Sequence, residues 1–185
     1  MESYYDYDNK DTKVCNKPAA KKVFLECGSK PHDAIFELDD GKVKENQSFV
    51  LDRVFVDTSC LFKPDVKIEF SSLIVFEAED EEGSEHEVEV ELLFKLIKTC
   101  HGKSECLETW KYLKEFDIEN NIDELEIEIS EPFTITFCDK SCPCDKTGAC
   151  CEYKIVVEGK DFEGEFDTLK VIKPNISAIA QGYCI

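Results

Sequence analysis

The chain has 185 residues, with 41 acidic and 22 basic side chains and a formal net charge of −19 at pH 7. Such a charge repels a phosphate backbone, so the composition argues against nucleic acid as a partner. No stretch reaches the roughly 18 apolar residues of a membrane span, and the sequence starts without the basic and apolar regions of a secretion signal. We therefore expect no membrane partner and synthesis without a signal peptide.

The cysteine content points to covalent assembly. The chain has 11 cysteines, an odd number, so at least one thiol is free or bonded outside its own molecule. A chain of this length buries enough surface to fold without disulfides, and disulfides persist in oxidising compartments. These observations predict an extracellular location, at a spore or cell surface. Without a signal peptide, such a protein would be made inside a cell that later lyses.

The composition divides the chain into two regions. Residues 1–20 are polar and contain tyrosines without helical or strand periodicity, so we expect a connector arm. Residues 21–185 form one strand-rich block with no second break in composition, so we expect one β-sandwich domain. Cys15 in the arm and Cys184 near the other terminus can reach a neighbouring subunit more easily than they can bridge a core.

Alternating apolar and polar residues predict strands throughout the second region, because alternate side chains lie on opposite faces of a strand. In chain order, the predicted inward positions are Val66, Ile68, Phe70 and Ile74, then His86, Val88, Val90, Leu92, Phe94 and Leu96, then Leu125, Ile127 and Ile129, and, after an interruption at Pro132, Phe133, Ile135 and Phe137. Shorter candidate strands cover 22–27, 34–38, 49–58, 106–116, 152–158 and 164–172.

These strands predict an all-β fold, an antiparallel two-sheet sandwich of about eight strands with an extended N-terminal arm. The favoured connection is a jelly roll, and no amphipathic helix of ordinary length is predicted. Open sheets leave edge strands, which accept a strand from another chain unless charge or a bulge blocks it. Residues 1–20 are the predicted donor of such a strand.

A dense cysteine cluster lies between two predicted strands. Its spacing is Cys-x3-Cys-x-Cys-x5-Cys-Cys, at Cys138, Cys142, Cys144, Cys150 and Cys151. Structural zinc sites and ferredoxins use two-residue gaps that this run lacks. Disulfides are therefore favoured, with no metal and no other cofactor, while a metal-binding module stays an alternative. On an extended chain the last two cysteines point in opposite directions, which suits one internal and one external partner.

One intramolecular disulfide is predicted, between Cys100 and Cys106, because the five residues between them suit a hairpin loop. Cys15 is expected to link the arm to Cys60 or to the 138–151 cluster of the next subunit, with Cys184 as a second candidate. The candidates for intermolecular bonds are Cys15, Cys60, Cys138, Cys142, Cys144, Cys150, Cys151 and Cys184.

The sequence predicts that the protein is not an enzyme. Cys100 is followed by His101, but adjacent side chains on a strand point apart and do not form a nucleophile–base pair. No phosphate-binding glycine loop, nucleophile elbow or zinc-protease motif is present. The many carboxylates alternate along the strands, as expected for a solvated sheet face.

Several short strings together resemble a known family. They are Leu25-Glu26-Cys27-Gly28, Asp57-Thr58-Ser59-Cys60-Leu61 with Lys63-Pro64, Glu69-Phe70-Ser71-Ser72-Leu73-Ile74, Phe137-Cys138-Asp139, Cys150-Cys151-x-Tyr153 and Ile176-Ser177-Ala178. Over about residues 22–180, their order resembles the clostridial domain-of-unknown-function family 4489, small cysteine-rich proteins of spore-forming anaerobes. The architecture is more loosely similar to endospore-appendage pilins of bacilli, jelly-roll subunits with a disulfide-linked N-terminal connector. The bacillar connector carries paired cysteines, whereas this arm has one.

From these features we expect a structural subunit of a disulfide-cross-linked extracellular filament, a spore appendage that assembles by arm donation and strand addition. Its partner would be further copies of the same chain in a helical homopolymer, since a head-to-tail contact that does not close propagates as a helix. Two alternatives stay open. One is a spore-coat or exosporium layer protein, and the other is a metal-binding module built on the cysteine cluster.

Overall fold

The structure, a computed structural model, describes residues 21–44, 46–80, 86–118, 125–140 and 148–184. The predicted arm, residues 1–20, lies outside the described residues. The strands in chain order are β1 (Lys21–Cys27), β2 (Ala34–Ile35), β3 (Leu38–Asp39), β4 (Lys42–Val43), β5 (Ser48–Asp57), β6 (Leu61–Asp80), β7 (His86–Cys100), β8 (Lys103–Ile118), β9 (Leu125–Lys140), β10 (Cys150–Glu163) and β11 (Glu165–Cys184). None of the described residues belongs to a helix that could span a membrane.

Nine of these strands build two sheets. Sheet I has the order β1-β11-β6-β9, with the short β2 also paired to β11, and sheet II has the order β5-β10-β7-β8. The remaining two strands, β3 and β4, form a small hairpin. All of these pairings are antiparallel. The prediction of an all-β, antiparallel two-sheet sandwich of about eight strands is confirmed.

The eight long strands pair in a nested order. Counted along the chain, the first pairs with the eighth, the second with the seventh, the third with the sixth and the fourth with the fifth. A long hairpin that wraps around a core produces such nesting. The jelly roll stays a prediction, and this order supports it, since a jelly roll combines two Greek keys in eight strands.

One continuous apolar core lies between the sheets. The inward side chains of β7 from Val88 to Leu96 are fully buried, as are Ile68 and Ile74 of β6. The ring of Phe94 in sheet II stacks on Phe133 in sheet I at a centroid distance of 4.0 Å. Period-two alternation therefore identified the buried face of both strands correctly. The side chains of His86 and Leu125 lie outside the described part of the chain.

Strand β9 runs without a break through Pro132. Pro132 lies opposite Leu73 of β6, and β9 is the edge of sheet I. An edge strand accepts a residue without an N–H because only one of its sides is hydrogen-bonded to the sheet. The predicted interruption at Pro132 is therefore absent, and the two predicted segments are one strand.

A buried carboxylate anchors the start of the domain to the core. Asp52 is 2% exposed and accepts hydrogen bonds from the backbone N–H groups of Lys30, Arg53 and Ile176 at 2.8–3.2 Å. A Cβ atom at Gly28 would collide with this carboxylate. Gly28 belongs to one of the strings that resemble the family, and the packing of Asp52 against it leaves no room for a side chain at this position.

The end of the sandwich where β6, β8 and β10 finish is closed by aromatic rings, and we call it the aromatic end. Its rings make edge-to-face contacts at centroid distances of 5.1–6.5 Å. The residues are Phe36, Phe49, Phe76, Phe116, Phe162 and Phe166. None of the cysteines that the structure describes lies at this end.

Candidate functional site

The topology gathers cysteines at the opposite end of the sandwich, the cysteine-rich end. Strands β5, β7, β9 and β11 finish there and β6, β8 and β10 begin there. This places seven cysteines together: Cys60, Cys100, Cys106, Cys138, Cys150, Cys151 and, by its backbone position opposite Leu61, Cys184. Lys21, the first residue of β1, lies opposite Tyr183 at the same end. Residues 1–20 are therefore attached to the domain at the cysteine-rich end.

One disulfide closes two neighbouring strands of sheet II. Cys100 at the end of β7 and Cys151 at the start of β10 are directly opposite each other and are bonded, with their Cα atoms 4.5 Å apart. This separation fits the narrow, non-hydrogen-bonded type of antiparallel pair, in which side chains approach most closely. Cys151, predicted as an intermolecular candidate, is thus used within the chain.

The predicted bond between Cys100 and Cys106 is wrong, because the hairpin register separates them. His101 and Gly102 form a two-residue turn in which both residues have positive φ, 51° and 74°, the pattern of a type I′ hairpin. Cys100 is therefore opposite Lys103, and Cys106 is opposite Ile97. Glycine at the second turn position indicates a two-residue turn, so the five residues between Cys100 and Cys106 do not form a single loop.

Exposed thiols lie at the same end of the sandwich as this disulfide. Among the described residues, the cysteines with free, exposed thiols at this end are Cys60, Cys106, Cys138 and Cys150. Cys150 is exposed while its neighbour Cys151 is 8% exposed, which matches the predicted opposite directions of the two side chains. Cys27, also free and exposed, lies farther along β1, opposite Ser177. The candidates Cys15, Cys142 and Cys144 lie outside the described residues.

A cleft of about 620 Å³ opens at the cysteine-rich end, between the two sheets. Pro64, Val66 and Asp139 line it from sheet I. Lys98, Cys100, Cys151 and Tyr153 line it from sheet II. Both residues of the disulfide therefore form part of the wall of a cavity.

Asp139 ties the two sheets together across this cleft. Its carboxylate lies 2.7 Å from Nζ of Lys98 and accepts a hydrogen bond of 2.7 Å from the phenol of Tyr153. Burial, and secondly this hydrogen bond, hold the pKa of Tyr153 far above its usual value. The phenol therefore remains neutral and remains a donor to Asp139.

The turn after β5 holds the end of the cysteine cluster. Thr58 donates its backbone N–H to the carbonyl of Ala149 at 3.0 Å, and its hydroxyl accepts the N–H of Ala149 at 3.1 Å. Any side chain at Gly148 would collide with the Thr58 backbone. Ser59 donates its backbone N–H to Asp57 at 2.9 Å, and hydrogen bonds from Ser59 lower the pKa of that carboxyl. The string Asp57 to Leu61 is thus explained by this turn.

Metal binding has no support within the part of the chain that the structure describes. No group of three or more His, Cys, Asp or Glu residues there is arranged to hold a metal ion. A metal site at the cluster would have to include residues outside the described ranges, such as Cys142 or Cys144.

Comparison with known proteins gives a family match and distant structural similarities. Residues 21–181 match the family described as "Domain of unknown function (DUF4489)". No curated protein matches the sequence.

Among solved structures, the chain is similar to that of the infectious bursal disease virus Gx strain, with 10% identity, a TM-score of 0.38, and coverage of 98% of this chain and 36% of the viral one. Similarity to the T13 viral particle of the same virus has 9% identity, a TM-score of 0.37 and the same coverage. The Gt strain gives 9% identity, a TM-score of 0.36 and coverage of 100% and 41%. The chain thus spans about two-fifths or less of these viral chains, and similarity at this level supports no functional inference.

Proposed function

Because this chain belongs to the DUF4489 family, whose description names no activity, we propose its function from the geometry of the cysteine-rich end: it is the structural subunit of a disulfide-cross-linked extracellular filament. Each copy donates its N-terminal arm to a neighbour, and covalent bonds join successive copies. One observation carries the proposal. Exposed thiols lie at the same end of the sandwich as Lys21, the residue through which residues 1–20 attach to the domain.

These thiols contribute little to the packing of one copy. The apolar core between the sheets is continuous, and Cys60, Cys106, Cys138 and Cys150 are all exposed. Copies that each carry a formal charge of −19 repel one another. A disulfide between copies resists this repulsion and is not reversed by dilution, which gives the exposed thiols a function that packing does not.

The edge of sheet I offers a place for strand addition. Among the described strands, β1 is paired on one side only, with β11. Val23 and Leu25 of β1 are each 65% exposed. A strand added beside β1 would complete its hydrogen bonds and cover part of this apolar surface. The predicted arm, residues 1–20, supplies a segment of suitable length for this addition.

The finer proposal is a spore appendage of a clostridial cell, exposed when the mother cell lyses. Its support is the cysteine content, which fits an oxidising final location, and the resemblance of the sequence to small cysteine-rich proteins of spore-forming anaerobes. The likeness to the endospore-appendage pilins of bacilli adds a precedent for joining such subunits through an N-terminal connector.

Denaturing electrophoresis without reductant tests the proposal on native material. We expect a ladder of oligomers that collapses with reductant to the 21.2 kDa monomer. The Cys15→Ser variant should lose the ladder. The Cys27→Ser variant, which changes an exposed cysteine away from the cysteine-rich end, should keep it. A monomer in both lanes of the wild type would refute covalent linkage.

A cross-linked layer of the spore surface is the second candidate. It is favoured by the number of free thiols, because a linear filament needs only one donor and one acceptor per copy, whereas the described residues expose four thiols at one end. Electron microscopy of purified material separates the two candidates. Threads support the filament, and flat lattices or amorphous sheets support the layer.

A further inference from the structure

We propose that the Cys100–Cys151 disulfide is the acceptor for Cys15 of another copy, and that the bond between copies forms by thiol–disulfide exchange in the cleft. This inference rests on the proposed function, since it names the acceptor for the arm. It departs from the simpler expectation that Cys15 is joined to a free thiol such as Cys60 or Cys138.

The disulfide is reachable from solvent. Both of its residues line the cleft of about 620 Å³, whose volume lies in the range of roughly 300–1,000 Å³ typical of ligand sites. Cys100 is half-buried, whereas Cys151 is only 8% exposed. Cys100 is therefore the more accessible residue of the pair, and we assign the attack to its sulfur.

The exchange is balanced without an added oxidant. The Cys15 thiol releases its proton to solvent, and the resulting thiolate bonds to Sγ of Cys100. The Cys100–Cys151 bond breaks, its electron pair goes to Sγ of Cys151, and that thiolate takes a proton from water. One disulfide is lost and one is formed. Joining Cys15 to a free thiol would instead require an oxidant to remove two electrons.

The lining of the cleft repels an anionic sulfur less than the rest of this acidic chain does. Its charged side chains are two lysines, Lys98 and Lys140, and two carboxylates, Glu105 and Asp139. Lys98 and Asp139 are paired with each other at 2.7 Å. Because these charges balance in a chain with a formal charge of −19, an approaching thiolate, which is the attacking species, meets less repulsion here than elsewhere on the chain.

The arm is attached close enough to bring Cys15 to this end of a neighbouring copy. Lys21 comes six positions after Cys15 in the sequence, which allows an extended reach of about 20 Å. Lys21 lies at the same end as the cleft. A neighbouring copy whose cysteine-rich end lies beside that of the donor, in a contact that does not close on itself, can therefore receive Cys15 in its cleft.

The acceptor chemistry is tested first on the full chain with reduced glutathione as the probe. Free thiols are alkylated with iodoacetamide, the protein is incubated with glutathione without oxygen, and new thiols are labelled with N-ethylmaleimide. We expect glutathione on Cys100 and one new label on Cys151, in equal amounts. The Lys140→Gln variant, which leaves the cleft lining with a net negative charge, should react several-fold more slowly, whereas Lys160→Gln, outside the cleft, should react at the wild-type rate. An intact disulfide, or glutathione on Cys151, would overturn the assignment.

The second experiment identifies the acceptor in the assembled protein. The wild-type ladder is alkylated and digested without reduction, and we expect a peptide that joins Cys15 to Cys100, together with alkylated Cys151. The Cys100→Ser/Cys151→Ser variant should stay monomeric, and a circular-dichroism melt should show that it is folded. A ladder in which Cys100 is still bonded to Cys151 would overturn this inference and leave the filament proposal standing. A wild type that forms no ladder would overturn both.

Discussion

The two ends of this sandwich are built from different chemistry. The aromatic end is closed by six phenylalanine rings in edge-to-face contact. The cysteine-rich end is held by a disulfide, by the Asp139 network and by the turn at Thr58, and it contains an open cleft. Since one apolar core runs between the sheets, the aromatic end can supply stability while the other end keeps reactive groups accessible.

This difference assigns separate roles to the two ends. Rings in mutual contact contribute burial energy that does not depend on redox conditions. Sulfur and paired charges at an open cleft contribute less and can change their partners. The following substitutions test that division, in order of expected effect on the free energy of unfolding.

The largest effect is expected at the aromatic end, from Phe76→Ala. Phe76 is fully buried and contacts the rings of Phe116 and Phe166. Truncating a buried phenylalanine removes burial energy and leaves a cavity, at a cost of about 3–5 kcal/mol. Urea unfolding under reducing conditions measures the loss. Phe55→Ala, at a ring that is 53% exposed, should cost less than about 1 kcal/mol. Equal losses in the two variants would show that the aromatic cluster has no special share in stability.

The second largest loss of stability is expected from removing the disulfide, in the Cys100→Ser/Cys151→Ser variant. The bond joins residues that are 51 apart in sequence, so its loss frees a long loop in the unfolded chain and should cost about 2–4 kcal/mol. Urea unfolding of the oxidised wild type and the variant measures this difference. Cys106→Ser is the control, because that exposed thiol should change stability by no more than about 0.5 kcal/mol. If Cys106→Ser destabilised as strongly as the double variant, the assigned pairing would be contradicted.

A smaller loss is expected from Asp139→Asn. The substitution removes the charge that pairs with Lys98 and weakens the acceptor of the Tyr153 phenol. Leaving such partly buried groups without their partner costs about 1–3 kcal/mol. Chemical denaturation compares this variant with Asp167→Asn. The Asp167 carboxylate is exposed, so we expect almost no change in the free energy of unfolding of this control. An unchanged midpoint for Asp139→Asn would show that the network does not tie the sheets together.

The smallest effect is a gain, from Glu89→Gln on the outer face of sheet II. Glu89 lies between Glu163 and Glu115 on the adjacent strands. Burial first, and then the neighbouring carboxylates, raise its pKa. Removing a like charge directly opposite two others should stabilise by a few tenths of a kcal/mol, on the order of 0.2–1.

The pH dependence of this gain has a definite sign. Because the folded-state pKa of Glu89 is raised, the native state binds this proton more readily than the unfolded chain does, and the repulsion is relieved as the pH falls. The advantage of Glu89→Gln over the wild type should therefore be present at neutral pH and shrink toward about pH 5, near the carboxyl range. Glu26→Gln on β1 is the control. A gain that grew on acidification would have the wrong sign for this explanation.

The sequence was sufficient to predict the sandwich because strand alternation is a local signal. The inward positions of β6 and β7 were identified from period two alone, and their burial follows from the pleat. The interruption predicted at Pro132 was wrong. A strand accepts a proline without breaking when it lies at the edge of a sheet, as β9 does, and the order of the strands rather than the local sequence decides which strand is an edge.

The disulfide could not be predicted in the same way. Cys100 and Cys151 meet because β7 and β10 are neighbours in sheet II, a long-range pairing that no local pattern encodes. The gathering of cysteines at one end has the same origin, since it requires the order of all eight long strands. The turn at His101 and Gly102 was the one local signal, and it was sufficient to exclude Cys106 as the partner.

The central claim is that the cysteine-rich end joins separate copies of the chain. The most direct test uses assembled material grown from an equal mixture of ¹⁵N-labelled and unlabelled protein, digested without reduction and analysed by mass spectrometry. We predict linked peptides that combine one labelled and one unlabelled partner, with a cysteine of this end in each pair. If every disulfide-linked peptide were wholly labelled or wholly unlabelled, all bonds would lie within single copies and the claim would be contradicted.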